Sequence, residues 1–212
     1  MKDYLEKLSQ AVQDGDDERA VKLVKEALDK QTPAIDILNK GLVPGVQALG
    51  KLFKDGQAFL PEILISVRAM NMGLEVLQPH LSAKDISNKG KIVLGTVEGD
   101  IHDIGKNLVG MMLKSNGFDV IDIGVDISAD SFLQAVQENE PNILAMSALL
   151  TTTITYFPVV IEVLKKAGLK GKTKVLVGGA AASREYADEI GAEGYAADCV
   201  SAVDEAIRLM KL

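Results

Sequence analysis

The sequence predicts an α/β domain with a five-stranded, doubly wound parallel sheet, preceded by an all-α four-helix bundle. Three observations carry this. Up to about residue 80, apolar residues recur at helical spacing with short breaks between the runs. Beyond residue 89, short apolar runs alternate with helical stretches. Between these parts lies a polar stretch, Ser82 to Gly90, containing Lys84, Asp85, Asn88, Lys89 and Gly90, which reads as a linker. The expected domains are therefore 1–88 and 89–212.

The first helix is marked by Tyr4, Leu5, Leu8, Ala11 and Val12, and ends at Asp14-Gly15-Asp16-Asp17. The second runs from about Asp16 to Leu28, with Ala20, Val21, Val24, Ala27 and Leu28 on one face. Thr32-Pro33 reads as an N-cap followed by proline at the first helical position. It opens a third helix from Ala34 to about Phe53, with Pro44 a candidate kink. Lys54-Asp55-Gly56-Gln57 is a turn. Pro61 opens a fourth helix carrying Ile63, Leu64, Val67, Met70, Leu74 and Leu77. Short connections between four helices predict a bundle.

In the second part the strands are expected at Ile92–Val97, Val120–Ile123, Ile143–Met146, Lys174–Val177 and Gly194–Ala196. The helices expected between and after them are one containing Val109–Leu113 and stopping near Gly117, then Ser128–Gln137, Ile154–Ala167, Ser183–Ile190 and Ala202–Met210. Ser128 is a good N-cap. Sheets of this kind bind ligands beyond the carboxyl ends of their strands, at the topological switch point.

Composition narrows the function. The hydrophobic fraction is 47% but aromatics are only 4%, with no Trp, so the core is aliphatic. A formal net charge of −7 argues against a broad nucleic-acid face. The single cysteine, Cys199, rules out an intrachain disulfide, fits a reducing compartment and reads as a buried packing residue. The N-terminus has no apolar run of signal-peptide length, and no stretch approaches the roughly 18 apolar residues of a membrane span. A cytoplasmic protein with no nucleic-acid or membrane partner is expected.

Three motifs fall just after strands one, three and four. Asp100-Ile101-His102-Asp103-Ile104-Gly105 places an imidazole, a common metal ligand, two residues from a carboxylate able to orient it. On its own it also fits a histidine that caps a helix or satisfies a loop carbonyl. Ser147-Ala148-Leu149-Leu150-Thr151-Thr152-Thr153 supplies more hydroxyls than one N-cap needs. Gly178-Gly179-Ala180-Ala181-Ala182-Ser183 lets another group approach the backbone closely, or makes a tight strand-to-helix turn. Together they predict a narrow slot with small walls and one imidazole at its mouth. Neither Gly-x-Gly-x-x-Gly nor Walker A follows the first strand. His80, near the end of the fourth helix, has no partner motif and reads as a surface or helix-end residue.

The ordered set Asp100/His102/Gly105, Ser147/Leu149 and Gly178/Gly179 resembles the signature of the B12-binding domain family, Asp-x-His-x-x-Gly, Ser-x-Leu, Gly-Gly. The run Gly99 to Asn107 is similar to the cobalamin module of methionine synthase and to the corrinoid proteins of methyltransferase systems. Phe53 to Pro61 resembles the family's helical cap motif, with Lys54 and Gln57 partly replacing its usual acidic residues. The resemblance covers the whole chain.

It implies a Rossmann-like (flavodoxin-like) domain under a helical cap, holding cobalamin or a related corrinoid. His102 would be the lower axial ligand to cobalt. Asp100 would tune it and Thr153 would end the triad, where methionine synthase has Ser. These three are the expected catalytic set. Phe53 and Leu60 would pack on the upper face of the corrin. Asp103, Ile104 and Gly105 would contact the cofactor beside His102. Ser147, Leu149 and Thr151 would line the nucleotide-tail pocket, and Gly105, Gly178 and Gly179 would make room for the tail. Tyr195 and Asp198 would flank it.

The implied function is a methyl carrier. Co(I) accepts a methyl group on a substrate-specific methyltransferase. Methyl-Co(III) gives it up through a second methyltransferase using tetrahydrofolate or coenzyme M. A reductive activase rescues Co(II). The chain has no barrel-sized domain for either transfer, so turnover alone is not expected. Nothing in the sequence chooses among methoxylated aromatics, methanol, methylamines and betaines as donor. A B12-dependent sensor is the alternative, disfavoured because no basic helix-turn-helix segment is evident. A radical-mutase subunit is disfavoured by the cap. A receiver domain would want Asp where Ser147 stands.

Overall fold

A computed structural model describes residues 2–81 and 89–212. The linker assigned to Ser82–Gly90 lies outside these residues except for Lys89 and Gly90. Contacts divide the chain into two units, Met1–Ser87 and Asn88–Leu212.

The first unit contains α1 (Lys2–Gln13), α2 (Asp17–Asp29), α3 (Ala34–Ile37), α4 (Val43–Lys54) and α5 (Leu60–Leu77). Asp16 caps α2, its carboxylate accepting from Arg19 N at 3.0 Å. Between α3 and α4 the helix widens into one π turn, Leu38–Leu42. The break therefore sits before Pro44 and not at it. Proline lacks an N–H and its ring crowds the carbonyl four residues back, so the turn ahead of it takes the wider spacing. The core is aliphatic: Leu8, Val12, Val24, Ile37, Leu42, Val46, Ile63, Val67 and Leu77 are buried. Gly45 brings α4 against α1, because a Cβ there would lie 2.5 Å from Ser9 O. On α2 the buried residues are Ala20, Leu23, Val24 and Ala27, while Val21 and Leu28, expected on that face, are half-buried. Leu64, expected among the apolar residues of its helix, is 41% exposed, beside Phe59 at 70% and Leu60 at 39%. His80 ends a short 3₁₀ turn after α5 and is exposed.

The second unit follows the expected alternation: β1 (Lys91–Thr96), α6 (Ile104–Ser115), β2 (Asp119–Asp122), α7 (Ala129–Asn139), β3 (Ile143–Ser147), α8 (Tyr156–Lys166), β4 (Lys174–Gly178), α9 (Arg184–Ile190), β5 (Gly194–Ala196) and α10 (Cys199–Met210). The five strands are parallel in the order β2-β1-β3-β4-β5. The chain steps outward from β1 to β2 and then returns past β1 to β3. The loops after β1 and β3 therefore diverge in opposite directions, and the switch point lies between them. Val93, Leu144, Val175, Phe132 and Phe157 form the core on one face of the sheet.

Most boundaries shift by one or two residues, and two helix starts have a local cause. α8 starts at Tyr156 because residues 151–155 are turns. α10 starts three residues early because Asp198 caps it, accepting from Val200 N at 2.9 Å and Ser201 N at 2.7 Å. Among the described residues no helix is long and apolar enough to cross a membrane.

Candidate functional site

The site grows from the end of β1. Gly99 turns the chain with φ +79°, and Asp100 follows, 1% exposed. Asp100 Oδ1 accepts from His102 N at 3.0 Å and meets His102 Nδ1 at 2.7 Å. Oδ2 accepts from Leu149 N and from Thr153 Oγ1, both at 2.7 Å. The last two donors belong to the loop after β3, so one carboxylate joins both sides of the switch point. The buried Thr96 hydroxyl donates to His102 O at 3.1 Å and pins the loop from below.

Burial by itself would raise the Asp100 pKa. The donors outweigh it, led by the His102 amide and then Thr153 and Leu149, and hold the carboxyl well below the usual range. The ionised carboxylate is acceptor-only, so Nδ1 of His102 carries the proton of that contact. In the neutral ring the lone pair then sits on Nε2, and the side chain is 49% exposed. The Thr153 hydroxyl has one proton. The 2.7 Å distance to Asp100, against 3.1 Å to Leu150 O, directs it to the carboxylate.

Asp100, His102, Leu149 and Thr153 are thus brought together. Asp103 precedes α6 and its carboxylate accepts from Asn107 Nδ2 at 3.1 Å. Ile104 is 77% exposed and Ile101 73%, on either side of His102 in sequence. Ser147 ends β3, in register with Thr96 and Gly178. Thr151 is exposed, in the turns that deliver Thr153.

Gly178 and Gly179 have a reason inside the chain: a Cβ would lie 2.7 Å from Ala196 O at the first and 1.9 Å from Ala148 O at the second. Gly105 has none, since a Cβ there meets nothing within 4 Å. Tyr195 donates its hydroxyl to Ala182 O at 3.1 Å, and Asp198 is engaged as the α10 cap. Phe53, half-buried, and Leu60 belong to the helical unit. Cys199 is buried, and burial pushes its thiol up to about 11, which keeps it unreactive.

Sequence reasoning missed Asp126, Lys106 and Asp122. Asp126 Oδ1 accepts from Gly99 N at 2.7 Å. Lys106, 3% exposed, pairs with Asp122 and donates to Asn107 Oδ1 at 2.9 Å. Each carried a signal. Gly124-Val125-Asp126 follows a strand end, where ligands bind. A lysine in the first turn of a helix opposes the helix dipole.

Among the described residues no three His, Cys, Asp or Glu side chains gather to hold a metal ion. One imidazole is too few donors for a bare ion. It suits a metal that arrives in its own ring of ligands. The exposed Ile101, Ile104, Leu149 and Leu150 fit a broad apolar group around it, and Gly105 leaves room.

An imidazole fixed by a buried carboxylate at the switch point defines a cofactor-binding α/β protein. Comparison with known proteins makes the class specific. Two models, both described as B12 binding domain, match residues 90–206 and 4–78. A corrinoid protein of Desulfitobacterium hafniense (strain Y51) is 44% identical over 209 residues, covering 97% of each chain. Trimethylamine corrinoid protein 1 of Methanosarcina mazei is 40% identical over 210 residues, again covering 97% of each. A chain in the crystal structure of the methanol:cobalamin methyltransferase complex of Methanosarcina barkeri superposes with a TM-score of 0.86 at 30% identity, covering 99% of this chain and 80% of that one. The chain belongs to the B12-binding family.

Proposed function

We propose that this chain is the corrinoid methyl carrier of a multi-component methyltransferase system, with a methyltransferase as its partner. The observation that carries the proposal is the orientation of His102, whose Nδ1 is held 2.7 Å from a buried carboxylate while Nε2 remains free to coordinate. Bound cobalamin supplies a cobalt centre that takes up and releases a methyl group.

The chain's residues supply position and electrostatics. His102 would hold the cobalt through Nε2. Asp100 fixes the tautomer and the ring orientation, as carboxylate partners of metal-bound imidazoles do. Thr153 and the Leu149 amide share the Asp100 charge, so less of it reaches the imidazole than from a carboxylate with His102 as its only partner. Ile101, Ile104, Leu149 and Leu150 offer exposed apolar surface on the two loops that carry His102 and Thr153. Phe59, Leu60 and Leu64 give the helical unit an exposed apolar surface of its own. The finer assignments belong to this reading too: 1–88 as cap and 89–212 as cofactor domain, a second methyltransferase as acceptor and a reductive activase.

The test is the absorbance spectrum of hydroxocobalamin-reconstituted, desalted protein beside His102→Ala. Retained corrinoid in the wild type and an altered spectrum or lost retention in the variant are the expected result. Failure of the wild type to retain cobalt would overturn the proposal.

A further inference from the structure

The loop between β2 and α7 touches the His102 loop twice through one residue. The Asp126 carboxylate accepts from Gly99 N at 2.7 Å, and the Asp126 amide donates to Asp100 O at 3.0 Å. These contacts bracket the Gly99–Asp100 dipeptide from the side opposite Leu149 and Thr153. The bracket is itself anchored to β1, because Ile127 N donates to Thr96 O at 3.0 Å and Thr96 N donates to Gly124 O at 3.0 Å.

Gly99 has φ +79°, and a turn of that kind directs its N–H away from the sheet ladder. Asp126 takes that donor. Its own φ is +56°, a conformation that Asn, Asp and Gly adopt more readily than other residues. Two demands therefore fall on position 126: a left-handed backbone and a side-chain acceptor of short reach. Aspartate and asparagine meet both. Glycine meets only the first.

Asp126 is exposed, so its contribution is not hydrophobic burial. Its contacts fix where the Asp100 backbone stands. The Asp100 carboxylate must reach Leu149 N, Thr153 Oγ1 and His102 Nδ1 together, each at 2.7 Å. A shift of the Gly99–Asp100 peptide would break at least one of the three. We propose that Asp126 is a positioning residue for His102, acting through the Gly99–Asp100 peptide to hold the imidazole ready before any cofactor binds. The purpose assigned to that imidazole rests on the proposed function. The positioning itself does not.

The test compares wild type, Asp126→Asn and Asp126→Gly as full-length chains, by two readouts. In the cofactor-free protein, nitrogen-15 NMR follows the Nδ1 proton of His102, one of only two histidines. That proton is expected to exchange slowly in wild type and Asp126→Asn, and about tenfold faster or more in Asp126→Gly, which loses a hydrogen bond to a charged acceptor. In hydroxocobalamin-loaded protein, Asp126→Gly is expected to shift towards the spectrum of His102→Ala, while Asp126→Asn matches wild type. Identical behaviour of Asp126→Gly and wild type in the NMR experiment would overturn the inference. The Gly99 amide of the wild type gives a check that needs no variant: it must exchange slowly, and rapid exchange there overturns the inference even if Asp126→Gly fails to fold. Loss of corrinoid retention by every protein, wild type included, would remove the proposed function and leave the NMR comparison to decide the positioning.

Discussion

At the scale of single residues the site is governed by Asp100. The folded protein keeps it ionised below the usual carboxylate range, so on acidification the unfolded chain takes up the proton first. The stabilisation is complete above the ordinary Asp value, about 3.9, and drains away as pH falls through that value towards the lower folded one. Thermal melts between pH 6 and pH 3 are expected to show a steeper loss of stability in wild type than in Asp100→Asn. The amide cannot accept from all four donors, and the variant should be less stable than wild type at pH 7 by about 2 kcal/mol or more. Equal slopes would show that Asp100 does not carry the acid sensitivity. Thr153→Val removes one of the four donors at nearly constant volume. A loss of about 1–2 kcal/mol is expected in denaturant melts, with a changed spectrum in hydroxocobalamin-loaded protein. The pairing of His102 with Asp100 was legible in the sequence because the two are two residues apart. The bond from Thr153 to Asp100 spans 53 residues and came only from the family resemblance. Asp126, 27 residues from Gly99, was marked only by its place after a strand end, because its role rests on a backbone angle and on a distant amide.

At the scale of elements, the glycines of the motifs separate into two kinds, and sequence alone could not tell them apart. Gly179 serves the turn itself, with a Cβ clash at 1.9 Å against a backbone carbonyl. Gly105 stands in the first turn of α6 with open space beside it and no positive φ. Gly179→Ala is therefore expected to destabilise or unfold the second unit with or without cofactor. Gly105→Ala should fold at least as well as wild type, since alanine is the better helix residue by roughly 0.5–1 kcal/mol, yet retain less hydroxocobalamin. Melting curves and retained cobalt, measured on the same preparations, separate the two. If Gly105→Ala lost stability without cofactor, the glycine would be structural after all. Element boundaries show the same division. Ser128 announces its helix because a serine cap is a local signal, and Ser183 caps α9 in the same way. Asp198, expected to flank the nucleotide tail, is also the cap of α10 by the same local chemistry. Pro44 marked a break in its helix for a local reason as well, and only the place of the π turn, Leu38–Leu42, came from the structure.

At the scale of the molecule, the question is how much of the corrinoid's hold each unit supplies. The α/β unit has its own core on one face of a five-stranded sheet and carries the candidate axial ligand. The helical unit has its own buried core and a separate exposed set, Phe59, Leu60 and Leu64. A ligand that binds only the folded state stabilises it by RT ln(1 + [L]/Kd), about 2.7 kcal/mol at a hundredfold excess over Kd. For units of this size 1 kcal/mol moves a melting temperature by roughly 4–8 °C. If both units hold the corrinoid, loading the full chain with hydroxocobalamin should raise the unfolding transitions of both. A fragment of residues 89–212 should fold alone and show the slowly exchanging Nδ1 proton of His102. Its own transition should rise by less than it does in the full chain at the same corrinoid concentration. Leu60→Ser, on the exposed surface of the helical unit, should then lower retention in the full chain while leaving its cofactor-free melt unchanged. A fragment that retains hydroxocobalamin as tightly as the full chain would confine the binding energy to the α/β unit. Phe59, Leu60 and Leu64 would then need a different explanation, the most direct being contact with the partner methyltransferase.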